Sequence, residues 1–232
     1  LTNSRNCYRS QMGQSGKGRR ELRIAPVMTG GTSLSVWMGG VTCELYCLLA
    51  GGTAAQVAPQ RPTEKEAPAT VSAYEALLEL TNLEPRVDVI TGTSAGGLNG
   101  TLLAGAWRTW VPAGEFAELR TTWLDIADLK SLLRSPSESN PPSLLKGDQY
   151  FRTSIEKVLT DWQNLYETRR NSVGEGSPDH PLDLLITVTT VNPEPRNSRD
   201  DFGESISDVN HAHRLRFTDQ HVAPNQSDWP KK

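Results

Sequence analysis

The order of apolar runs predicts an α/β protein with a largely parallel sheet. Three observations carry that prediction. Leu22–Met28, Val87–Thr91 and Leu182–Val191 are short runs rich in Val, Ile, Leu and Thr, and they read as strands. The first two are each followed by a turn of small residues and then by apolar residues at helical spacing. Between the second and third lies sequence of helical period, so the order is β-α-α-β-α-α-α-β-β.

The elements follow along the chain. Residues 1–20 are polar and Gly-, Ser- and Arg-rich, and are expected to be a disordered lead-in. Pro26 cannot donate to a ladder, so it belongs at an edge or a strand end. Trp37, Val41, Leu45, Leu48 and Leu49 predict one buried helix face. Residues 51–70 read as a surface loop, and 73–83 as a short helix leading into the second strand. After it, Leu98, Leu102, Leu103 and Ala106 stack on one face, with Trp107 and Trp110 closing the helix. Residues 115–133 bring Phe116, Leu119, Trp123 and Ile126 to helical spacing, which is ordinary core packing. Tryptophans in such stripes are more often core than interfacial. Asp148 is placed to cap the next helix, whose stripe is Phe151, Ile155, Val158, Leu159, Trp162 and Tyr166. Residues 192–201 are polar and turn-like, and 213–218 alternate as a half-exposed strand.

With 232 residues the chain is long enough to bury a core, as one large domain or two small ones. A net charge of −3 excludes a basic nucleic-acid surface. Cys7, Cys43 and Cys47 have neither metal-ligand spacing nor the density of a disulfide framework, so no metal or cofactor is expected and the setting is reducing. No apolar run approaches the ~20 residues of a membrane span. The basic N-terminus has no apolar stretch of a secretory signal, which points to the cytoplasm.

Chemistry concentrates in Gly92-Thr93-Ser94-Ala95-Gly96, a Gly-x-Ser-x-Gly between a strand and a helix. A serine in so tight a turn leaves no room for Cβ atoms two residues to either side. The helix that follows aims free amides and its positive dipole end at the hydroxyl, where an oxyanion would form. A merely structural Ser-Gly turn would not require the strand before and helix after. The turn Thr29-Gly30-Gly31-Thr32-Ser33 repeats this grammar. It is either an ordinary βα connection or an oxyanion hole formed by the amides of Gly31 and Thr32. A phosphate loop fails because no Gly-x-x-x-x-Gly-Lys occurs, and a dinucleotide loop because Gly-x-Gly-x-x-Gly is not spelled here.

The two motifs together resemble the patatin-like phospholipases, most of all the long actinobacterial patatin-related proteins. The residues that carry the resemblance are Val27-Met28-Thr29-Gly30-Gly31-x-Ser33-Leu34-x-Val36-Trp37-Met38-Gly39-Gly40-Val41 and Asp88-Val89-Ile90-x-Gly92-Thr93-Ser94-Ala95-Gly96-Gly97-Leu98-Asn99-Gly100. It is tight over about 22–107 and looser to about 218. It implies a three-layer α/β/α fold with a mostly parallel sheet, a domain over 21–232 with a helical insertion at about 113–170, and a lipid acyl hydrolase. The implied chemistry is a Ser–Asp dyad without histidine, with Ser94 as nucleophile and Gly30 and Gly31 opening the oxyanion loop. The implied partners are a lipid or ester substrate and peripheral contact with a membrane. Thr32 stands where the family has a third glycine, and Leu34 where many relatives carry Lys or Arg.

The family's aspartate lies in Asp-Gly-Gly or Asp-Gly-Ala, and no Asp-Gly pair occurs in this sequence. The chain opens without Met and stops at Trp-Pro-Lys-Lys, so the expectation is a C-terminally incomplete chain with its base beyond residue 232. Asp200 and Asp201 are the nearest alternatives. Two other readings stay open. One is an α/β-hydrolase triad of Ser94, Asp183 or Asp200, and His211, in the chain order Ser…Asp…His; His180, His213 and His221 are the other histidines. The second is a catalytically incomplete module that binds lipid or a partner.

Overall fold

A break at Pro26 and a bulge at Asp88 shape the sheet on which everything else is mounted. The structure, a computed structural model, describes residues 18–31, 34–57, 69–109, 111–173 and 181–218. The predicted first strand forms as two pieces, β1 (Arg20–Ile24) and β2 (Val27–Met28). Pro26 has no N–H to give, but its carbonyl accepts from Thr91 N at 2.9 Å. The second strand is longer than predicted and also divided, into β3 (Leu83–Val87) and β4 (Val89–Thr93). Pairing is parallel in both halves. The partner offset changes by one residue between Ile24↔Val87 and Val27↔Thr91, which makes Asp88 the extra residue.

Strand β5 (Asp183–Arg199) lies parallel to β4, and β6 (Ser205–Thr218) returns antiparallel along β5. The sheet is therefore mixed, where a mostly parallel one was expected. The cause is the hairpin, whose strands are longer than any others among the described residues. Residues 192–199, expected as turn, are strand, and the turn is confined to 200–204, where Asp200 N donates to Glu204 O. Pro193 and Pro195 cannot donate, and the register slips between Thr189 and Glu194. There Thr190 O and the His211 Nδ1, 2.8 Å apart, replace a ladder bond.

The helices are α1 (Leu34–Val57), α2 (Ala69–Thr81), α3 (Ala95–Arg108), α4 (Ala113–Ala117), α5 (Leu119–Ile126), α6 (Leu129–Leu132) and α7 (Thr153–Val173), with a π-helical turn at Gly147–Arg152. Asn82, at φ 51°, ends α2 and frees Leu83 to start β3. Helix α1 runs seven residues into the predicted loop because Thr53-Ala54-Ala55-Gln56-Val57 has nothing to break it; residues 58–68 lie outside the described residues. Asp148 makes no capping bond, and Asp128 caps α6 instead, accepting from Lys130 N and Ser131 N. The disordered lead-in falls on residues 1–17, also outside the described residues, while Arg20 already belongs to β1.

Helices α1, α2 and α3 cover the sheet face that bears Pro85, Val87, Ile90, Leu184 and Ile186. The opposite face carries an ion-pair network, Arg23–Glu21 at 2.7 Å, Arg86–Glu21 at 3.2 Å and Arg86–Asp88, with Arg216–Asp183 at 2.6 Å further across. The second helical layer of a three-layer arrangement is not found among the described residues. Phe116, Leu119, Trp123 and Ile126 are buried as predicted, and Tyr46 stacks on Phe116 with ring centroids 4.3 Å apart.

The buried face of α1 differs from the predicted one. Trp37 is 66% exposed and Val41 47%, Leu45 and Leu48 are half-buried and Leu49 is buried as predicted, while Ser35, Met38, Thr42 and Tyr46 also face inward. Close helix approach decides this. A Cβ on Gly39 would stand 2.6 Å from Trp123 Cδ1, and the polar groups on the inner face are bonded, Thr42 to Met38 O at 2.7 Å and the Tyr46 hydroxyl to Val111 O. The reading that no apolar run approaches a membrane span also needs correction. Leu34–Gly52 is 19 residues long and apolar enough to cross a membrane, and 44% of it is buried within the protein. A core helix passes the same test of length and composition.

Two predictions follow from α1. Gly39→Ala should lower stability by about 1–2 kcal/mol because Trp123 cannot move aside. Gly40→Ala, with open space at its Cβ, should raise it by about 1 kcal/mol. Urea midpoints shifting in the same direction for both would contradict this packing. Burial pushes the Cys43 thiol up from 9.0 to about 11, with the neighbouring Cys47 adding to it, and burial raises Cys47 as well. The folded protein thus holds these protons more tightly than the unfolded chain. The Cys43 contribution to stability should be complete below pH 9 and lost as pH rises through 11, and that of Cys47 should be lost in the same direction. Alkylation of both thiols at pH 8 should be slow until urea unfolds the protein.

Candidate active site

The end of β4 turns into α3 within one residue, and that residue is Ser94. Its backbone sits at φ 54°, ψ −125°, a region that residues with a Cβ rarely occupy. Neighbouring glycines make the turn possible. A Cβ on Gly92 would lie 2.5 Å from Gly96 O, and a Cβ on Gly96 would collide with the carbonyl of Met28. Ser94 is exposed, its carbonyl takes the first helical bond from Leu98 N at 3.1 Å, and its hydroxyl caps nothing. Among the described residues the hydroxyl has no hydrogen-bond partner, and it stands at the N-terminus of α3, whose first amides have no partner within the helix.

The second motif arrives at the same place. Strand β2 pairs with β4 through Met28↔Gly92, which carries the chain directly onto the elbow. A Cβ on Gly30 would lie 2.7 Å from Ser94 Cβ and 3.4 Å from its Oγ. Gly31 adopts φ 148°, its carbonyl accepts from Leu34 N at 3.1 Å, and the Leu34 side chain packs against it. The structure thus brings Gly30 against Ser94, with Gly31 next in the chain and packed on Leu34, and with Thr93 and Ala95 flanking the serine. Thr32 lies outside the described residues. On the other side of β4, Thr187 pairs with Thr93, and their hydroxyls are 2.5 Å apart.

The candidate acids and bases are not brought to the serine. Asp183 pairs with Val89, at the far end of β4 and roughly 13 Å down the strand from Thr93. There a hydrogen bond from Thr218 and the Arg216 guanidinium hold its carboxyl below the usual carboxylate range. Asp200 accepts from the amides of Phe202 and Glu204 at the hairpin tip, and Asp201 is next to it. Strand β5 reaches that tip roughly 40 Å past Thr187. His211 is on β6, two strands from β4, and Asp183 lies opposite Thr218, roughly 23 Å along β6 from it. Asp183 or Asp200 with His211 therefore forms no triad around Ser94. His180 and His221 fall outside the described residues, as does Trp110; Trp107 and Trp123 are core. Among the described residues no group of His, Cys, Asp and Glu could hold a metal ion.

Sequence reading passed over Asn99 as anything more than a letter of the motif. It is completely buried, donates to Ser35 O at 3.2 Å and Ala95 O at 3.0 Å, and accepts from Trp123 Nε1 at 3.0 Å. A polar residue among small and apolar neighbours on a predicted core helix was the available signal.

No family model matches the chain. A Mycobacterium tuberculosis (strain ATCC 25618 / H37Rv) protein named an uncharacterized membrane protein is 33% identical over 208 residues. That span is 88% of this chain and 19% of the relative, so the chain spans about a fifth of its length. No solved structure matches.

The strain at position 94 is testable. Ser94→Gly should stabilise the protein by roughly 1 kcal/mol, since glycine adopts this conformation freely. Ser94→Ala, which keeps the Cβ, should melt with the wild type. A thermal melt in which the glycine variant is the less stable of the two would refute the strained elbow.

Proposed function

We propose that the protein is a serine-dependent lipid acyl hydrolase of the patatin type, cleaving carboxylic esters through an acyl-serine intermediate. The observation that carries this reading is Ser94, exposed in a strained strand-to-helix turn, with Gly30 of the glycine turn packed against it. Nothing in packing alone calls for a strained serine at that point. In the proposed reaction Ser94 Oγ attacks the acyl carbonyl carbon, and its proton passes to an aspartate carboxylate. The glycine-turn and α3 amides take up the charge on the oxygen. Collapse expels the alcohol, which leaves with the proton, and water then releases the acid from Ser94.

The aspartate comes from outside the described residues, since Asp183, Asp200 and Asp201 all lie far from Ser94. Exposed Leu34 and Trp37 beside the glycine turn suit an acyl group of apolar character. Contact with a membrane surface from the cytoplasmic side belongs to the same proposal. It draws on the relative's name and on the apolar stretch of α1. The missing base supports a second reading, a lipid- or partner-binding module with an idle elbow.

A fluorophosphonate probe separates the two. Wild-type protein should be labelled covalently at Ser94, and Ser94→Ala should not. Equal labelling of both, or of neither, removes the hydrolase reading.

A further inference from the structure

We infer that Asn99 is a positioning residue, the amide that fixes the distance between the glycine turn and the nucleophile. The inference rests on the hydrolase reading for its kinetic meaning but has a physical content of its own. A fully buried amide must satisfy two N–H donors and a carbonyl, or it costs stability. Asn99 does so with three helices at once. Its Nδ2 donates to Ser35 O in the first turn of α1 and to Ala95 O beside the nucleophile, while its Oδ1 accepts from the Trp123 indole on α5.

The orientation follows from chemistry. An indole nitrogen is a donor only, so it must face the amide oxygen, and this turns the NH2 group toward the two carbonyls. Trp123 reaches this position because Gly39 lacks a Cβ. Helix α5, part of the segment inserted between β4 and β5, thereby sets which way Asn99 points.

The two carbonyls belong to the two motifs. Ala95 follows Ser94 directly. Ser35 follows Leu34, whose amide is bonded to Gly31 O, and Gly30 rests on Ser94. One nitrogen within 3.2 Å of both carbonyls therefore ties the start of α1, and the turn that precedes it, to the elbow. Filling the volume between the helices would not require this. Leucine would fill it nearly as well, and an apolar replacement for a buried polar residue can be close to neutral for stability. What leucine cannot do is hold the Ser35 carbonyl.

The test compares wild type, Asn99→Leu and Trp123→Phe with p-nitrophenyl butyrate. In Asn99→Leu, kcat should fall by about 100-fold, the cost of a misplacement near 1 Å, with KM within about twofold. Trp123→Phe should lose less, because the amide keeps its donors but not its fixed orientation. Wild-type kcat in folded Asn99→Leu overturns the inference, as does a loss confined to KM. Deuterium uptake over residues 28–36 gives a second readout, with Leu78→Ala, a core variant between α1 and β3, as a destabilised control. Asn99→Leu should speed exchange there well beyond that control, and uptake equal to the control overturns the inference. If wild-type protein neither hydrolyses the ester nor reacts with the fluorophosphonate, the hydrolase reading falls, and deuterium uptake alone decides the role of Asn99.

Discussion

Backbone lies directly against backbone where Gly96 meets Met28, and the rest of the site depends on that approach. Any side chain at position 96 would overlap the Met28 carbonyl, and any at 92 would overlap the first turn of α3. With both positions bare, the end of β2, the end of β4 and the start of α3 occupy a space that would otherwise hold two. Protein interiors are packed too densely to absorb an extra methyl group without moving something. Here the thing that would move is the turn resting on Ser94.

The motif was legible because its causes are local. Gly92 is demanded by sterics within five residues, Gly96 by the Met28 carbonyl of the strand beside it, and the strand before and helix after are visible as runs of apolar spacing. The buried face of α1 was not. Periodicity assumes that the apolar side faces inward, and here inward positions are chosen by fit: Gly39 because Trp123 needs its place, Ser35 because Asn99 needs its carbonyl. Those partners lie 64 or more residues away in the chain, as Ser35 and Asn99 do, and no window of a dozen residues contains them. The hairpin was misread for a related reason. Pro193 and Pro195 signal a turn, yet β6 tolerates them by slipping register and letting Thr190 and His211 bond across the gap.

Helix α1 shows how little composition says about where a helix resides. Its first nineteen residues could cross a bilayer. In this structure they lie between α2, α3 and α5, with Glu44 outward and hydrogen-bonded to the Tyr74 hydroxyl at 3.2 Å. The hydroxyls of Thr42 and Tyr46 are satisfied by backbone carbonyls on the inner side. The buried half of the helix is thus matched to protein neighbours residue by residue. The exposed half, with Leu34, Trp37 and Val41, carries an apolar surface that starts at the glycine turn, where Leu34 packs on Gly31.

The β5–β6 hairpin has a practical consequence. Beyond Thr189 it consists of two strands whose ladder bonds, among the described residues, run only between themselves, and its tip is closed by Asp200, which binds the amides of Phe202 and Glu204. Lengthening the chain at that tip would disturb neither the glycine turn nor the core, and the added loop-closure entropy grows only slowly with length. The stretch from Asp200 to Gly203 is accordingly the place to graft a fluorophore, an epitope or a whole reporter domain while the elbow stays as it is.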